Sequence, residues 1–132
     1  MRHTFATFLL VIVALFFLFT SWSSGTAPKR FAERLGLTLA NAGGYNEIRA
    51  QYAGFFLAAA LFCIASLAGR VSRQAAFSVL AVIFGGLIGG RLVSLGLNGG
   101  VAGYGPTILA LYAIDAVGFA MTVMAMVLDK KV

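Results

Sequence analysis

Four charged residues lie at the edges of long apolar stretches or inside them: Glu47, Arg49, Arg91 and Asp115. An Arg or Asp at the centre of a membrane helix costs about 2.5–3.5 kcal/mol on insertion scales, so such residues pair with one another or line a cavity. The charges of these four residues sum to zero. Their chemistry ranges from ion pairing and binding of a lipid headgroup to proton transfer through a carboxylate.

Hydrogen-bonding side chains are expected at the same depth as these charges. Folding adjacent apolar stretches into hairpins sets Arg91 level with Ala113, within one turn of Asp115, and Arg49 level with Ser94. The hydroxyl and amide groups at similar depths belong to Tyr52, Ser94, Asn98, Tyr104 and Tyr112. We therefore predict one polar cluster between the second, third and fourth apolar stretches, open toward the outer surface. Its members are Glu47, Arg49, Tyr52, Arg91, Ser94, Tyr112 and Asp115.

Simpler roles compete with this interpretation for two of the charges. Glu47 suits the first turn of a helix capped by Asn46, where a carboxylate complements the helix dipole. Arg49 is close enough to the helix start to extend its charged end to the interface. Arg91 lies about four turns along its apolar stretch, and the side chain of Asp115 is short, so for these two we predict mutual pairing. Pairing alone is a structural function.

Metal and catalytic centres find little support in the composition. His3 is the only histidine and Cys63 the only cysteine, so a bis-His haem, a His-based metal site and a thiolate cluster are all excluded. A Ser-His-Asp triad cannot be assembled inside the apolar stretches. We predict no metal site, no cofactor and no catalytic residue.

Four apolar helices must position these side chains. Hydrophobic residues make up 61% of the 132 positions and charged residues 11%, which is too little charge to cover a soluble domain of this size. The stretches long enough to span a membrane are about 5–22, 48–68, 75–97 and 107–128. None of them alternates polar and apolar residues, so a barrel is rejected. We predict an all-α, four-span bundle forming one domain over residues 1–132.

The first stretch and the loop after it allow two interpretations each. A basic start, an apolar run and Gly25-Thr26-Ala27 resemble a secretory signal peptide, but the run is long for one and we favour an uncleaved span. In the loop, a short interfacial helix capped by Thr26 with Pro28 in its first turn competes with an irregular polar loop. Ala42-Gly43-Gly44 is expected to break the chain before the second span.

The basic residues indicate the orientation and the nearest partner. One side of the membrane carries Arg2, Arg70, Arg73, Lys130 and Lys131, and the other carries Lys29, Arg30 and Arg34. This excess favours both termini in the cytoplasm. Because the charges of Glu47, Arg49, Arg91 and Asp115 cancel, the remaining charged residues carry the whole net charge of +6, and all of them lie at the membrane surfaces. Anionic lipid headgroups, rather than nucleic acid, are therefore the expected partner.

A glycine-rich stretch in the third span predicts close helix packing. Gly85, Gly86, Gly89 and Gly90 form two overlapping Gly-xxx-Gly spacings, which allow helices to approach closely in lipid. The partner helix is either another span of this chain or a second copy, and we favour the former. A phosphate-binding loop is excluded because the glycines lie within an apolar run.

The chain resembles a bacterial family of small four-helix membrane proteins known only as a domain of unknown function. Residues 46–54 are similar to the family's Glu-x-Arg-x-x-Tyr-x-Gly signature, with Glu47, Arg49 and Tyr52 in its polar positions. Residues 90–94 are similar to a Gly-Arg-x-x-Ser signature and are followed by Asn98-Gly99. An acidic residue in the last span also fits, carried here by Asp115 where the family more often has Glu. The resemblance implies the four-span fold and this polar set, and no activity.

Four functions remain in competition. We favour a non-enzymatic protein of the bacterial inner membrane whose polar cluster stabilises the bundle and binds a lipid headgroup or small amphiphile. A proton-coupled transporter would use Asp115 or Glu47 as its titrating group. A lipid- or sterol-modifying enzyme would use both carboxylates in acid–base chemistry. The fourth is an accessory role in a homo-oligomer or a larger membrane complex.

Overall fold

The structure, a computed structural model, describes residues 2–129 of the chain, and every regular element within that range is helical. The elements are α1 Arg2–Thr26, α2 Pro28–Arg34, α3 Ala42–Ile48, a π-helical segment Arg49–Gly54, α4 Phe55–Leu67, α5 Arg73–Asn98 and α6 Pro106–Asp129. The all-α prediction is confirmed. Lys130 and Lys131, which entered the orientation argument, lie outside the described residues.

Four helical stretches are long and apolar enough to cross a membrane. They are His3–Thr26, Ala42–Leu67, Arg73–Asn98 and Pro106–Asp129. Large apolar side chains along them are exposed, with Trp22 72% and Val82 76% accessible. Extensive apolar surface is rare on soluble monomers and marks contact with another apolar phase. The prediction of four membrane-spanning helices is confirmed, and the protein is a membrane protein.

The chain divides into two compact units. The α1–α4 unit is Leu10–Val71 and holds most of α1 together with α2, α3, the π segment and α4. The α5–α6 unit joins the described parts of Met1–Leu9 and Ser72–Val132, so it holds the first turns of α1 together with α5 and α6.

Aromatic and small side chains pack α1 in the α1–α4 unit. The rings of Phe17 and Phe56 have centroids 4.9 Å apart, and Phe17 is fully buried. Further along α1, the Ser21 hydroxyl donates to the carbonyl of Ala53 at 2.8 Å. A Cβ added at Gly25 would lie 3.4 Å from the Ala53 Cβ. Small residues at this contact let α1 approach the π segment closely.

The π segment is an element that hydropathy alone does not predict. Its residue types are ordinary for an α-helix, so the pattern indicates continuous helix through Arg49–Gly54. A π turn closes i→i+5 rather than i→i+4 hydrogen bonds, which disturbs the regular ladder. The Ser21 hydroxyl supplies an additional partner for the Ala53 carbonyl within the segment. The segment overlaps the Glu-x-Arg-x-x-Tyr-x-Gly motif, and π turns occur frequently at functional sites.

The second spanning stretch begins at Ala42 rather than at Ile48. Asn41 is its N-cap, and the Asn41 side chain accepts a hydrogen bond from the Gly44 amide at 3.1 Å. A Cβ at Gly43 would lie 3.1 Å from the Asn41 Oδ1, so glycine leaves room for the cap instead of ending the helix. The predictions of Asn46 as the cap and of a chain break at Ala42–Gly44 are therefore wrong.

The short helix expected in the first loop is present as α2, although its predicted cap is wrong. Thr26 ends α1 and its hydroxyl donates to the Trp22 carbonyl, while Ala27 takes the cap position and Pro28 begins α2. Gly36, with φ +77°, terminates α2 as its amide donates to the Glu33 carbonyl.

Two phenylalanine–glycine contacts pack α5 against α6 in the α5–α6 unit. A Cβ at Gly118 on α6 would lie 2.6 Å from the Phe84 ring on α5. A Cβ at Gly85 on α5 would lie 3.1 Å from the Phe119 ring on α6. The contacts are reciprocal, because each helix presents a ring beside the glycine of the other. Small residues opposite large ones bring the two backbones together.

The other glycines of the predicted packing stretch lie away from this contact. Apart from chain neighbours and the backbone of α5 itself, no described atom comes within 4 Å of a Cβ built at Gly86, Gly89 or Gly90. At the residue after Gly90, the Tyr112 hydroxyl of α6 donates to the Arg91 carbonyl of α5. A tyrosine side chain standing between two backbones keeps them apart, so close packing stops after Gly85.

Polar contacts hold the opposite end of the α5–α6 unit. The Gln74 amide donates to the Met126 carbonyl at 3.0 Å and to the Asp129 carboxylate at 3.3 Å. The Arg73 guanidinium donates to the Thr7 hydroxyl at 2.9 Å and lies 3.3 Å from the His3 Nδ1. The first turns of α1 are therefore tied to the start of α5.

Candidate functional site

An ion pair joins α5 to α6 near the end that leads into their connecting loop. Arg91 Nε donates to Asp115 Oδ2 at 2.5 Å. The Asp115 side chain is 4% exposed and that of Arg91 is 20% exposed. Among residues 3–129 this is the only ion pair. A charge-assisted hydrogen bond between a buried carboxylate and a partly exposed guanidinium offsets the desolvation that the carboxylate would otherwise suffer alone.

Tyr112 holds the same arginine in two further ways. Its hydroxyl donates to the Arg91 main-chain carbonyl at 2.7 Å. The Arg91 Cζ lies 5.6 Å from the centre of the Tyr112 ring, within range of a cation–π interaction. Tyr112 and Asp115 are three residues apart on α6 and so share a face. That face contacts both the main chain and the side chain of Arg91.

A second polar layer lies between the ion pair and the α5–α6 loop. The Tyr104 hydroxyl is 3.1 Å from the Ser94 hydroxyl and accepts a hydrogen bond from the Asn98 amide at 3.1 Å. Hydrogen bonding, above all to Ser94, lowers the pKa of Tyr104 from its ordinary value. The Tyr104 and Tyr112 rings have centroids 5.8 Å apart, which joins the two layers. We call the whole set the Arg91 cluster: Arg91, Ser94, Asn98, Tyr104, Tyr112 and Asp115.

The guanidinium of Arg91 is only partly used within this cluster. Its Nε is bonded to Asp115, whereas no residue in the described part of the chain accepts a hydrogen bond from Nη1 or Nη2. Arginine carries five N–H donors in a planar fork that matches carboxylate and phosphate groups. The partly exposed side chain therefore keeps an edge of the fork available for an external anion.

The remaining predicted residues belong to the α1–α4 unit. Glu47 is exposed near the end of α3, beyond the first turn in which it was expected. Arg49 is exposed and its Nε donates to the Gly25 carbonyl at 3.5 Å. The Tyr52 ring has its centroid 4.9 Å from that of Phe31 on α2. A single cluster drawn from all three spans stays a prediction.

No cluster of three or more His, Cys, Asp or Glu side chains able to hold a metal ion occurs among the residues that the structure describes. Cys63 is buried and unpaired there. The chemistry that the arrangement supports is ion pairing and hydrogen bonding, with the arginine fork as the strongest anion-binding group.

Comparison with known protein families yields a match over most of the chain. Residues 5–124 match the family model described as Domain of unknown function (DUF4345). None of the curated proteins and none of the solved structures compared with the chain matches it.

Proposed function

The chain belongs to the DUF4345 family, and on the geometry of the Arg91 cluster we propose that it is a non-enzymatic multi-pass membrane protein that binds an anionic headgroup. In this proposal the cluster has two tasks, which are to tie α5 to α6 and to hold the phosphate of a lipid or small amphiphile. The excess of basic residues elsewhere supports an extracytoplasmic position for the cluster and cytoplasmic termini.

The first task follows from the cost of isolated charges in a membrane span. Each charge alone costs about 2.5–3.5 kcal/mol at a helix centre, and pairing offsets much of that cost. The Asp115 side chain is almost fully buried, so its partner must come from a neighbouring helix. Arg91 supplies that partner from α5, which supports a stabilising role for the pair.

The second task rests on one observation, the unused Nη1 and Nη2 of Arg91. The Arg91–Asp115 pair is neutral as a whole, so a phosphate would be held mainly by short hydrogen bonds rather than by a net positive field. The Asn98 amide and the hydroxyls of Ser94 and Tyr104 add polar groups toward the loop. Binding at this cluster is therefore expected to depend weakly on salt.

The same geometry disfavours Asp115 as the acid of the catalytic and transport alternatives. A general acid or a proton carrier must expose a carboxyl oxygen to its proton partner. One oxygen of Asp115 is occupied by the Arg91 Nε, and the side chain is nearly inaccessible. An accessory role in a homo-oligomer or larger complex is compatible with the proposal.

Lipid binding by purified protein tests the proposal. We expect the protein in phosphatidylcholine nanodiscs to gain thermal stability when phosphatidylglycerol is included. Arg91→Lys keeps the charge and removes the fork, so it should weaken the affinity for phosphatidylglycerol, read from how thermal stability depends on its content, about tenfold, the equivalent of one charge-assisted hydrogen bond. Arg70→Lys, an exposed loop arginine, is the matched control. Equal lipid dependence in the wild type and Arg91→Lys, both correctly folded by circular dichroism, would refute headgroup binding at the cluster.

A further inference from the structure

The α1–α4 unit contains an open cavity of about 490 Å³ where α1 ends and α2 begins. The lining residues are Thr26, Ala27, Pro28, Lys29, Arg30, Glu33, Tyr45 and Arg49. This volume is within the range of small-molecule sites. The lining brings together three consecutive helical elements and the first residue of the π segment.

The lining of this cavity is strongly basic. Lys29, Arg30 and Arg49 contribute three positive charges, and Glu33 contributes one negative charge. None of the three cations forms an ion pair with a carboxylate of the described residues. Three unpaired cations around one concave surface attract an anion and provide donors for its oxygens.

Arg49 is held in place by the main chain of α1. Its Nε donates to the Gly25 carbonyl at 3.5 Å, which leaves Nη1 and Nη2 without an acceptor in the described chain. The π segment that begins at Arg49 is fixed against α1 by the hydrogen bond from Ser21 to Ala53. Pro28 is buried at the first position of α2 and restricts the backbone beside Lys29. These contacts position Arg49 and the backbone beside Lys29 at the cavity.

We propose that this cavity binds a doubly charged phosphate monoester, presented either by a lipid headgroup or by a soluble phosphate ester. The lining carries a net charge of +2, which matches a dianion better than a singly charged phosphodiester. The Tyr45 hydroxyl provides an uncharged donor on the α3 side. The site is independent of the Arg91 cluster, since no residue of that cluster lines it.

Thermal unfolding in phosphatidylcholine nanodiscs tests this proposal with two ligand arms. In one arm the nanodiscs contain 10% phosphatidic acid, and in the other glycerol phosphate is added to the solution, with chloride at equal ionic strength as the reference. We expect stabilisation in at least one arm. An effect confined to the nanodisc arm identifies a lipid headgroup as the source, and an effect in solution identifies a soluble ester.

Variants separate the cavity from general surface charge. Arg49→Gln should weaken the affinity for the phosphate monoester, read from the concentration that gives half of the stabilisation, about tenfold or more, because one charge-assisted contact is lost. Arg34→Gln removes the same charge from α2 at a residue outside the lining and should retain the effect. Arg91→Lys should also retain it, which separates this site from the proposed function. No stabilisation in either arm, or equal losses in Arg49→Gln and Arg34→Gln, would overturn the proposal.

Discussion

Replacing Arg91 by Leu removes the partner of an almost fully buried carboxylate. The Asp115 side chain, 4% exposed, would then carry its charge within the span without a counter-ion. Truncating one member of a buried pair costs about 3–5 kcal/mol, and a lone charge at a helix centre about 2.5–3.5 kcal/mol. We therefore expect Arg91→Leu to lower the free energy of unfolding by about 3 kcal/mol. The Tyr112 hydroxyl bonds to the Arg91 main chain, so that bond survives the substitution.

The reverse substitution is expected to cost less, because the two partners differ in length and exposure. After Asp115→Leu the Arg91 side chain is already 20% exposed and can extend its charged end toward the surface. We expect a loss of about 1–2 kcal/mol. The double variant contains neither charge and should lose no more than about 1 kcal/mol, because apolar replacement of a buried pair is often close to neutral. The coupling energy is then at least about 3 kcal/mol, well above the average of about 0.6 kcal/mol for interhelical hydrogen bonds in a bilayer.

Equilibrium unfolding in bicelles, followed by steric trapping or circular dichroism, measures all four members of this cycle. Arg91→Leu combined with Ser78→Ala is the control, since Ser78 lies thirteen residues earlier on α5, about 20 Å away. The losses in the free energy of unfolding from two such distant substitutions should be additive. Near-additive losses for Arg91→Leu and Asp115→Leu would refute a stabilising ion pair. Equal losses for the two single variants would refute the argument from exposure.

Two further predictions concern packing and capping. In the same unfolding assay, Gly118→Ala should be less stable than Gly86→Ala by about 1–3 kcal/mol. Both substitutions increase helix propensity, but only Gly118→Ala places a methyl group against the buried Phe84 ring. Equal stabilities of the two variants would contradict the reciprocal packing. Asn41→Ala should lower the free energy of unfolding by about 1 kcal/mol and raise the rate of amide hydrogen exchange over Ala42–Gly44 about fivefold, while Asn46→Ala should leave that rate unchanged. A faster exchange in Asn46→Ala than in Asn41→Ala would restore Asn46 as the cap.

Hydropathy was sufficient to predict the spanning helices because the membrane imposes its constraint on composition and length. Roughly twenty apolar residues are needed whatever their order, and four stretches meet that need. The depth of a residue in the membrane can also be estimated from its sequence position, since the rise per residue is constant along a helix. Folding the third and fourth apolar stretches into a hairpin set Asp115 within one turn of Arg91, and their side chains are in contact in the structure.

Which residues of a helix face the neighbouring helix was much harder to predict. The Gly-xxx-Gly spacing identified Gly85 but equally identified Gly86, Gly89 and Gly90, which lie away from the α5–α6 contact. Gly118 is the tighter contact, yet it is an isolated glycine without a repeat to mark it. A large side chain such as Phe84 opposite a single glycine leaves no pattern within one helix, because the complementarity is between helices.

Local geometry at chain turns was also beyond sequence reasoning. Asn41 and Asn46 are both acceptable caps, and the choice depends on whether the backbone between them is helical. The basic cavity was missed for the same reason. Lys29 and Arg30 were counted only among the basic residues at the membrane surface, whereas the turn between α1 and α2 brings them to a common surface with Arg49.

The π segment changes how the faces of the second span are to be compared. A π turn accommodates one residue more than an α turn, and each residue advances about 100° around an α-helix. Positions before Arg49 and after Gly54 are consequently out of phase by roughly that angle relative to one uninterrupted α-helix. A helical wheel drawn straight through Ala42–Leu67 would assign Tyr45 and Phe56 to the wrong azimuths. Two wheels, divided at the segment, describe which side chains of this span point the same way.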